Sequence, residues 1–333
     1  MTPAPGGADT WAPRLMARAG EFREAGMVLA VIVTAVVFGA IAPRFLSVGN
    51  LANISSQISF LAILAVSMTF VIISGEIDLS IGSMVGLSGV VFGLLLRDGV
   101  DIWVACALTL LAGTAMGFLD GALSLALKVP SIIITLGMLN VYRGAGYYLS
   151  DGYPISDYPK QSLFFDLGQQ RFAGLVPYNA VVFLVFAVVA AIVLRRSVFG
   201  HRLYAVGSNL RAARLAGIRT DRIKVTVLAF NGFAAAIAAL LITAQTGTAD
   251  PNIGIGYELD AIAAVIIGGA ALTGGSGTVL GSVLGMLLIG MIRNGLVLVG
   301  VSIYLLIVVS GLIVIAAVAA NLLVERRRRD SGP

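Results

Sequence analysis

The sequence predicts an all-α membrane protein of about ten spanning helices with both termini cytoplasmic. Three observations predict it: too little charge to face water, apolar runs of spanning length, and basic residues gathered in alternate connections. Of 333 residues, 58% are hydrophobic and 12% charged, and the mean hydropathy is +0.98. A soluble domain carries about 25% charged residues, so lipid must replace water around much of this surface. Forty glycines fit the same reading, because small residues let membrane helices approach closely.

Spanning a hydrocarbon layer of about 30 Å takes about 20 mostly apolar residues. Runs of that kind lie at 27–42, 51–74, 80–96, 102–127, 131–149, 178–194, 225–244, 258–272, 279–292 and 302–323. The fourth is long enough to tilt. The eighth and ninth read as short and are separated by 273-TGGSG-277, so either is a candidate broken span. The chain thus divides into a tail at 1–26, a polytopic domain at 27–323 and a basic tail at 324–333.

Orientation follows from the basic residues, which favour the cytoplasmic side. An inside N-terminus places Arg14, Arg18, Arg23, Lys128, the eight Lys/Arg from Arg195 to Lys224 and Arg326 to Arg329 inside, sixteen of the 22 basic residues. The loop 150–177 is then external and the loop 195–224 cytoplasmic. The net charge of +5 is a topology signal rather than a nucleic-acid footprint, because these residues sit between apolar spans. The single cysteine, Cys106, lies in an apolar run and reads as a packing residue; the single histidine, His201, reads as a solvated loop residue. Neither a disulfide within the chain nor a Cys-based metal site is expected, and no cofactor is implied. No cleavable leader is expected, since the first apolar run lacks a small-residue cleavage site.

A weak internal repeat is visible. The stretch 117-GFLDGALSL-125 resembles 290-GMIRNGLVLV-299, and 75-GEIDLS-80 resembles 257-YELDAI-262. Both pairs are five spans apart. An odd offset makes the halves cross in opposite directions, the inverted-repeat arrangement that places a solute path at the repeat interface.

Four stretches in order resemble the ribose-type permease family, the membrane subunits of ATP-binding-cassette importers for pentoses and related monosaccharides. They are 69-TFVIISGEIDLSIGSMVGLSG-89, 129-VPSIIITLGML-139, 199-FGHRLYAVGSNLRAARLAGI-218 and 256-GYELDAIAAVIIGGAALTGGSGTVLGS-282. The resemblance covers nearly the whole chain beyond the first 25 residues. Two departures stand out. The family often has glycine where this chain has Glu76, and asparagine where it has Asp120. Both add a carboxylate, which bears on the substrate rather than the class. The resemblance implies a permease in a bacterial inner membrane, a homodimer or half of a heterodimer. Its expected partners are cytoplasmic ATPase subunits, a periplasmic sugar-binding protein, a small sugar and the surrounding lipid.

Within 195–224, Ser208 or Asn209 can cap a short helix, and Gly217 can close it in the left-handed conformation. Alanines at 212, 213 and 216 face such a helix with small side chains. By resemblance Gly207, Ser208, Asn209, Ala212, Ala213, Ala216, Gly217 and Ile218 form the coupling helix that docks on the ATPase. The competing reading is a contact with anionic lipid. Carboxylates between apolar spans are costly if they face lipid, about 2.5–3.5 kcal/mol for an Asp at a helix centre, so Glu76 and Asp78 should face protein, water or a cavity. Asp78 with Ser80 either caps the third span or lines a path. Among polar residues within spans, Asn53, Gln57, Asn140, Asn231 and Asn294 suit sugar hydroxyls through two-sided hydrogen bonding, or join helices instead. Asp250, Glu258 and Asp260 are candidates for an outer rim that meets a delivery protein, or for a solvated loop.

ATP hydrolysis is not expected in this chain. It contains no Gly-Lys dipeptide, so the phosphate loop is absent, and GGSGT reads as a turn. The resemblance implies transport of a pentose, hexose or related small sugar, with a furanosyl signalling molecule or a sugar alcohol as the alternative cargo. An ion-gradient-driven secondary transporter also has inverted repeats. It is disfavoured because the acidic residues lie near loops rather than in the middle of spans.

Overall fold

In the computed structural model, which describes residues 11–160 and 162–330, the apolar runs become helices whose ends are set by capping residues. Helix α1 covers Trp11–Ile41, and α2 (Val48–Ile73) follows Ser47, whose side chain accepts from the Asn50 N–H. Helix α3 is Ile81–Arg97. Helix α4 (Ile102–Leu127) starts after Asp101, whose carboxylate accepts from the N–H groups of Trp103 and Val104 at 2.9 and 3.2 Å. Such caps satisfy N–H groups that the first turn leaves free. Then come α5 (Ser131–Leu149), the short α6 (Leu163–Gln169), a hairpin of β1 (Arg171–Phe172) and β2 (Val176–Pro177), and α7 (Tyr178–Arg196). The chain continues through α8 (Val198–Ser208), α9 (Leu210–Leu215), α10 (Thr220–Thr246), α11 (Tyr257–Ile267), α12 (Val279–Leu298) and α13 (Ile303–Asp330).

Helices α2 and α10 form the centre. Every residue from Ala62 to Ser74 is buried, so this part of α2 is covered on all sides. Helix α10 packs against α2, α3 and α4. The α4–α10 contact depends on glycine: a Cβ on Gly117 would strike the Leu228 carbonyl, and one on Gly232 the Gly113 carbonyl. Backbones this close need small residues at four-residue spacing, supplied by Gly113, Gly117 and Gly121. The outer helices are the reverse, with Leu29, Val36, Leu184 and Val185 each more than half exposed. Without a membrane these side chains would stand in water, so they form the lipid-facing surface.

Among the described residues six helices are long and apolar enough to cross a membrane: α1 from Glu24, α2, α4, α7, α10 and α12. All ten predicted runs coincide with helices, though several ends differ; α10 begins at Thr220 and α13 runs on to Asp330, and three differences matter most. Helix α1 begins at Trp11, well before position 27. The eighth run is a partial span: α11 has 11 residues, about 16 Å at 1.5 Å per residue, and stops at Gly268 against Gly281 of α12. The ninth, read as short, is a full helix of 20 residues. Hydropathy stopped at Arg293 because it could not see that this charge is paired inside the helix bundle. Positions 1–10 and 331–333 of the two tails lie outside the described residues.

Candidate functional site

The chain between α2 and α3, residues 74–80, carries the first group of candidate residues into the bundle. Asp78, Ser80, Asp120 and Asn231 are each 0% exposed. Asn231 on α10 links two elements: its Nδ2–H donates to Asp78 Oδ2 at 2.9 Å, and its Oδ1 accepts from the Ser67 hydroxyl of α2 at 2.6 Å. Ser80 Oγ stands 2.6 Å from Asp78 Oδ1 and 2.8 Å from Asp120 Oδ2. A hydroxyl has one proton to donate and accepts through its lone pairs. It therefore bridges the two carboxyl groups. Asp78 also accepts from the Ser80 N–H and from Asn231. The other oxygen of Asp120 stands 2.7 Å from the Tyr142 hydroxyl, which also lies 2.9 Å from the Met116 carbonyl.

The second member of each matched motif forms a pair of its own. Arg293 of α12 donates from Nη1 and Nη2 to the two oxygens of Asp260 on α11, both at 2.7 Å, and Nη2 also donates to the Ser310 hydroxyl at 2.7 Å. Asp260 is matched in sequence to Asp78, and Arg293 to Asp120. The structure thus joins the two repeat motifs of each half to one another.

At the end of the bundle that carries α8 and α9, Asn209 Oδ1 accepts from the Ala212 N–H at 2.9 Å, and Gly217 ends the turn with φ of 79°. Ala212, Ala216 and Gly217 are exposed and Ala213 is buried. Leu215 is 85% exposed, a residue that sequence reasoning passed over although it is an isolated leucine among alanines and arginines. Beside it, Arg202, Arg219 and Arg222 line a groove with Gly217 and Ile218. Gly207 lies against the carbonyl of Ile73 and the N–H of Gly275, where a Cβ has no room, so α8 is seated on the turns that follow α2 and α11. The Ser208 side chain touches Gly275, and Asn209 rather than Ser208 caps α9.

The remaining candidates separate. Glu76 is ion-paired with Lys224 at the start of α10. Asn140 is exposed on α5 and reaches only the Leu136 carbonyl of its own helix, at 3.4 Å. Asn294 exchanges two side-chain hydrogen bonds with Asn50, at 2.8 and 3.1 Å, and so joins α12 to α2. Asn53 and Gln57 lie together on exposed positions near the start of α2. Asp250 accepts from the Asn252 N–H at 2.8 Å within its own turn. Glu258 is half-buried, its carboxylate against Gly82. The expectation of rim carboxylates is corrected for Asp260, which is 5% exposed, because a charge beside an apolar helix packs onto its counter-ion. Arg143, near the end of α5, donates to the carbonyls of Pro251 and Ile253 and so holds the 247–256 turn. Among the described residues no group of three or more His, Cys, Asp or Glu is placed to hold a metal ion.

Residues 50–318 match the model of the branched-chain amino acid transport system / permease component family. The chain belongs to this permease family. The ribose import permease of Haemophilus influenzae is 37% identical over 88% of this chain and 91% of its own length. That of Bacillus subtilis is 34% identical over 90% of this chain and 92% of its own length. The autoinducer 2 import system permease of Salmonella choleraesuis is 37% identical over 83% of this chain and 79% of its own. This permease is accordingly a multi-pass inner-membrane protein of the ribose-type group, in which exposed apolar helices face lipid.

Proposed function

We propose that this permease is the membrane subunit of an ATP-driven importer that moves a monosaccharide into the cytoplasm. The observation that carries the reading is its likeness to ribose import permeases along nearly the full length of both chains. Ten helices lie in two inverted halves with both termini cytoplasmic, a reading supported by the basic connections and the matched motif pairs. The α8–α9 end is then cytoplasmic, and the 150–177 and 247–256 segments are external. Two permease subunits enclose the path, a periplasmic sugar-binding protein delivers the solute, and ATPase subunits supply the work.

Helix α9 is the coupling element. It is short, capped and basic, and it presents Leu215 outward beside an arginine-lined groove, a surface suited to a partner with an apolar pocket and acidic rim. Replacing Leu215 with Asp tests this. An exposed leucine contributes little to folding, so Leu215→Asp should insert in the membrane at wild-type levels while uptake is lost. Wild-type uptake by that variant would remove the coupling role.

A furanosyl signalling molecule is the second cargo reading, supported by the likeness to the autoinducer 2 import system permease. Uptake of labelled ribose and of autoinducer 2 by cells carrying the complete transporter separates the two.

A further inference from the structure

The loop 150–177 does more than connect α5 to α7. Phe164 and Phe165 of α6 are buried in an apolar cluster with Phe92, Leu240 and Ala244. Tyr158 lies in the same cluster, where burial pushes its phenol up to about 12. This anchoring holds the end of α6 against α10 so closely that a Cβ on Gly168 would strike the Ala244 backbone. Between α6, the start of α2 and the end of α10 it leaves an open cavity of about 470 Å³, within the range of about 300–1,000 Å³ usual for ligand pockets.

The cavity's chemistry is uniform. Its side chains include Asn53 and Gln57 of α2, Gln169 and Gln170 at the end of α6, and Gln245 of α10, with Arg171 of β1 at the edge. Among the described residues no carboxylate and no aromatic ring lines it. Most of this hydrogen-bonding capacity is open. Among the described residues, the side chains of Gln57 and Gln170 have no hydrogen-bond partner, and Gln169 reaches only the Ala244 carbonyl, at 3.4 Å. Arg171 donates to Asn53 Oδ1 at 3.2 Å and, among the described residues, has no ion pair. Beside the cavity stands Asn179 of α7, 0% exposed, whose Nδ2–H groups face Gln245 Oε1 at 3.2 Å and the Gly168 carbonyl at 3.4 Å. Its buried Oδ1 has no donor, an unusual state for a buried polar atom in a folded protein.

We propose that this cavity is an external vestibule that receives a neutral polyhydroxylated solute of monosaccharide size through carboxamide hydrogen bonds. The assignment rests on the importer reading, which makes this end external. Carboxamides both donate and accept, as sugar hydroxyls do. With no ring to stack on and an open mouth, the site holds its ligand weakly and releases it, as a station on a path requires. The β1–β2 hairpin, attached to α2 through Arg171 and Asn53, forms one wall.

The test uses the full chain in lipid nanodiscs with Cys106→Ser, leaving one introduced thiol per variant. Gln57→Cys and Thr246→Cys place thiols on opposite walls of the cavity, and Tyr153→Cys places a control on the exposed external loop. Maleimide labelling is timed with and without D-ribose, D-xylose or D-glucose. The expected result is several-fold slower labelling at both cavity positions by at least one sugar, with Tyr153→Cys unchanged. Unchanged rates at the cavity positions with all three sugars, or equal slowing at the control, overturn the vestibule. ATP-driven uptake by the complete wild-type transporter is measured in parallel. Uptake without protection leaves the importer standing and removes the vestibule, whereas absence of sugar uptake counts against the importer reading itself.

Discussion

The Asp78–Asp120 and Asp260–Arg293 pairs lie in motifs of similar sequence, one in each half of the chain, yet they answer the burial of a carboxylate in different ways. In the second half a guanidinium neutralises Asp260 through two parallel hydrogen bonds, the strongest geometry available to a carboxylate. In the first half the matched position holds another acid, and the Ser80 hydroxyl stands between the two. What the two have in common is a polar side chain, Asp120 or Arg293, that reaches the motif holding Asp78 or Asp260. The requirement at this point of the fold is for hydrogen-bond polarity, and charge is one of several means of meeting it.

Removing one member of the charged pair should have the largest effect. Asp260→Ala leaves Arg293 with only the Ser310 hydroxyl, and stranding one partner of a buried ion pair costs about 3–5 kcal/mol. Purified Asp260→Ala permease should lose much of its thermal stability in detergent; wild-type stability would show that the pair is decoration. Asp120→Leu comes next. It leaves the Ser80 hydroxyl without its second contact and removes one partner of Tyr142, a loss of about 1–3 kcal/mol for buried polar groups left unsatisfied. Asn294→Leu breaks the amide pair with Asn50, and interhelical hydrogen bonds in membranes average about 0.6 kcal/mol, so its shift in unfolding midpoint should be small but measurable. Asp120→Asn should be smallest of all, indistinguishable from wild type in the same assay, because an amide can both donate and accept and so keeps the contacts with Ser80 and Tyr142. If Asp120→Asn proves as damaging as Asp120→Leu, hydrogen-bond polarity is not what this position requires and the comparison fails with it.

The candidate site was legible in parts, for physical reasons. Asn209 and Gly217 were readable because a helix cap and a left-handed stop are local properties of the backbone. The Asp260–Arg293 contact was not legible, since motifs of similar sequence at a fixed offset do not say which side chains meet. Tyr142 gave no signal: a tyrosine in an apolar run has the same hydropathy whether its hydroxyl meets Asp120 or a lipid headgroup. Asn294 and Asn231 were indistinguishable as isolated amides. Only packing turned one toward Asn50 and the other toward Asp78. The carboxamide-lined cavity was half visible, through Asn53 and Gln57 one turn apart. Gln169, Gln170 and Gln245 come from elements remote in sequence.

The sequence by itself determined that this chain lives in lipid, where its helices lie, and where the basic connections fall. Those properties depend on short windows of hydropathy and on charge counts, and they need no knowledge of neighbours. The tertiary structure alone decided which buried polar groups meet, that Arg293 sits inside a helix rather than ending one, and that the loop 150–177 is pinned by Phe164 and Phe165 into the wall of a cavity. In hydrocarbon a polar side chain must find its partner within the protein, and which partner it finds depends on how helices far apart in the chain are brought side by side.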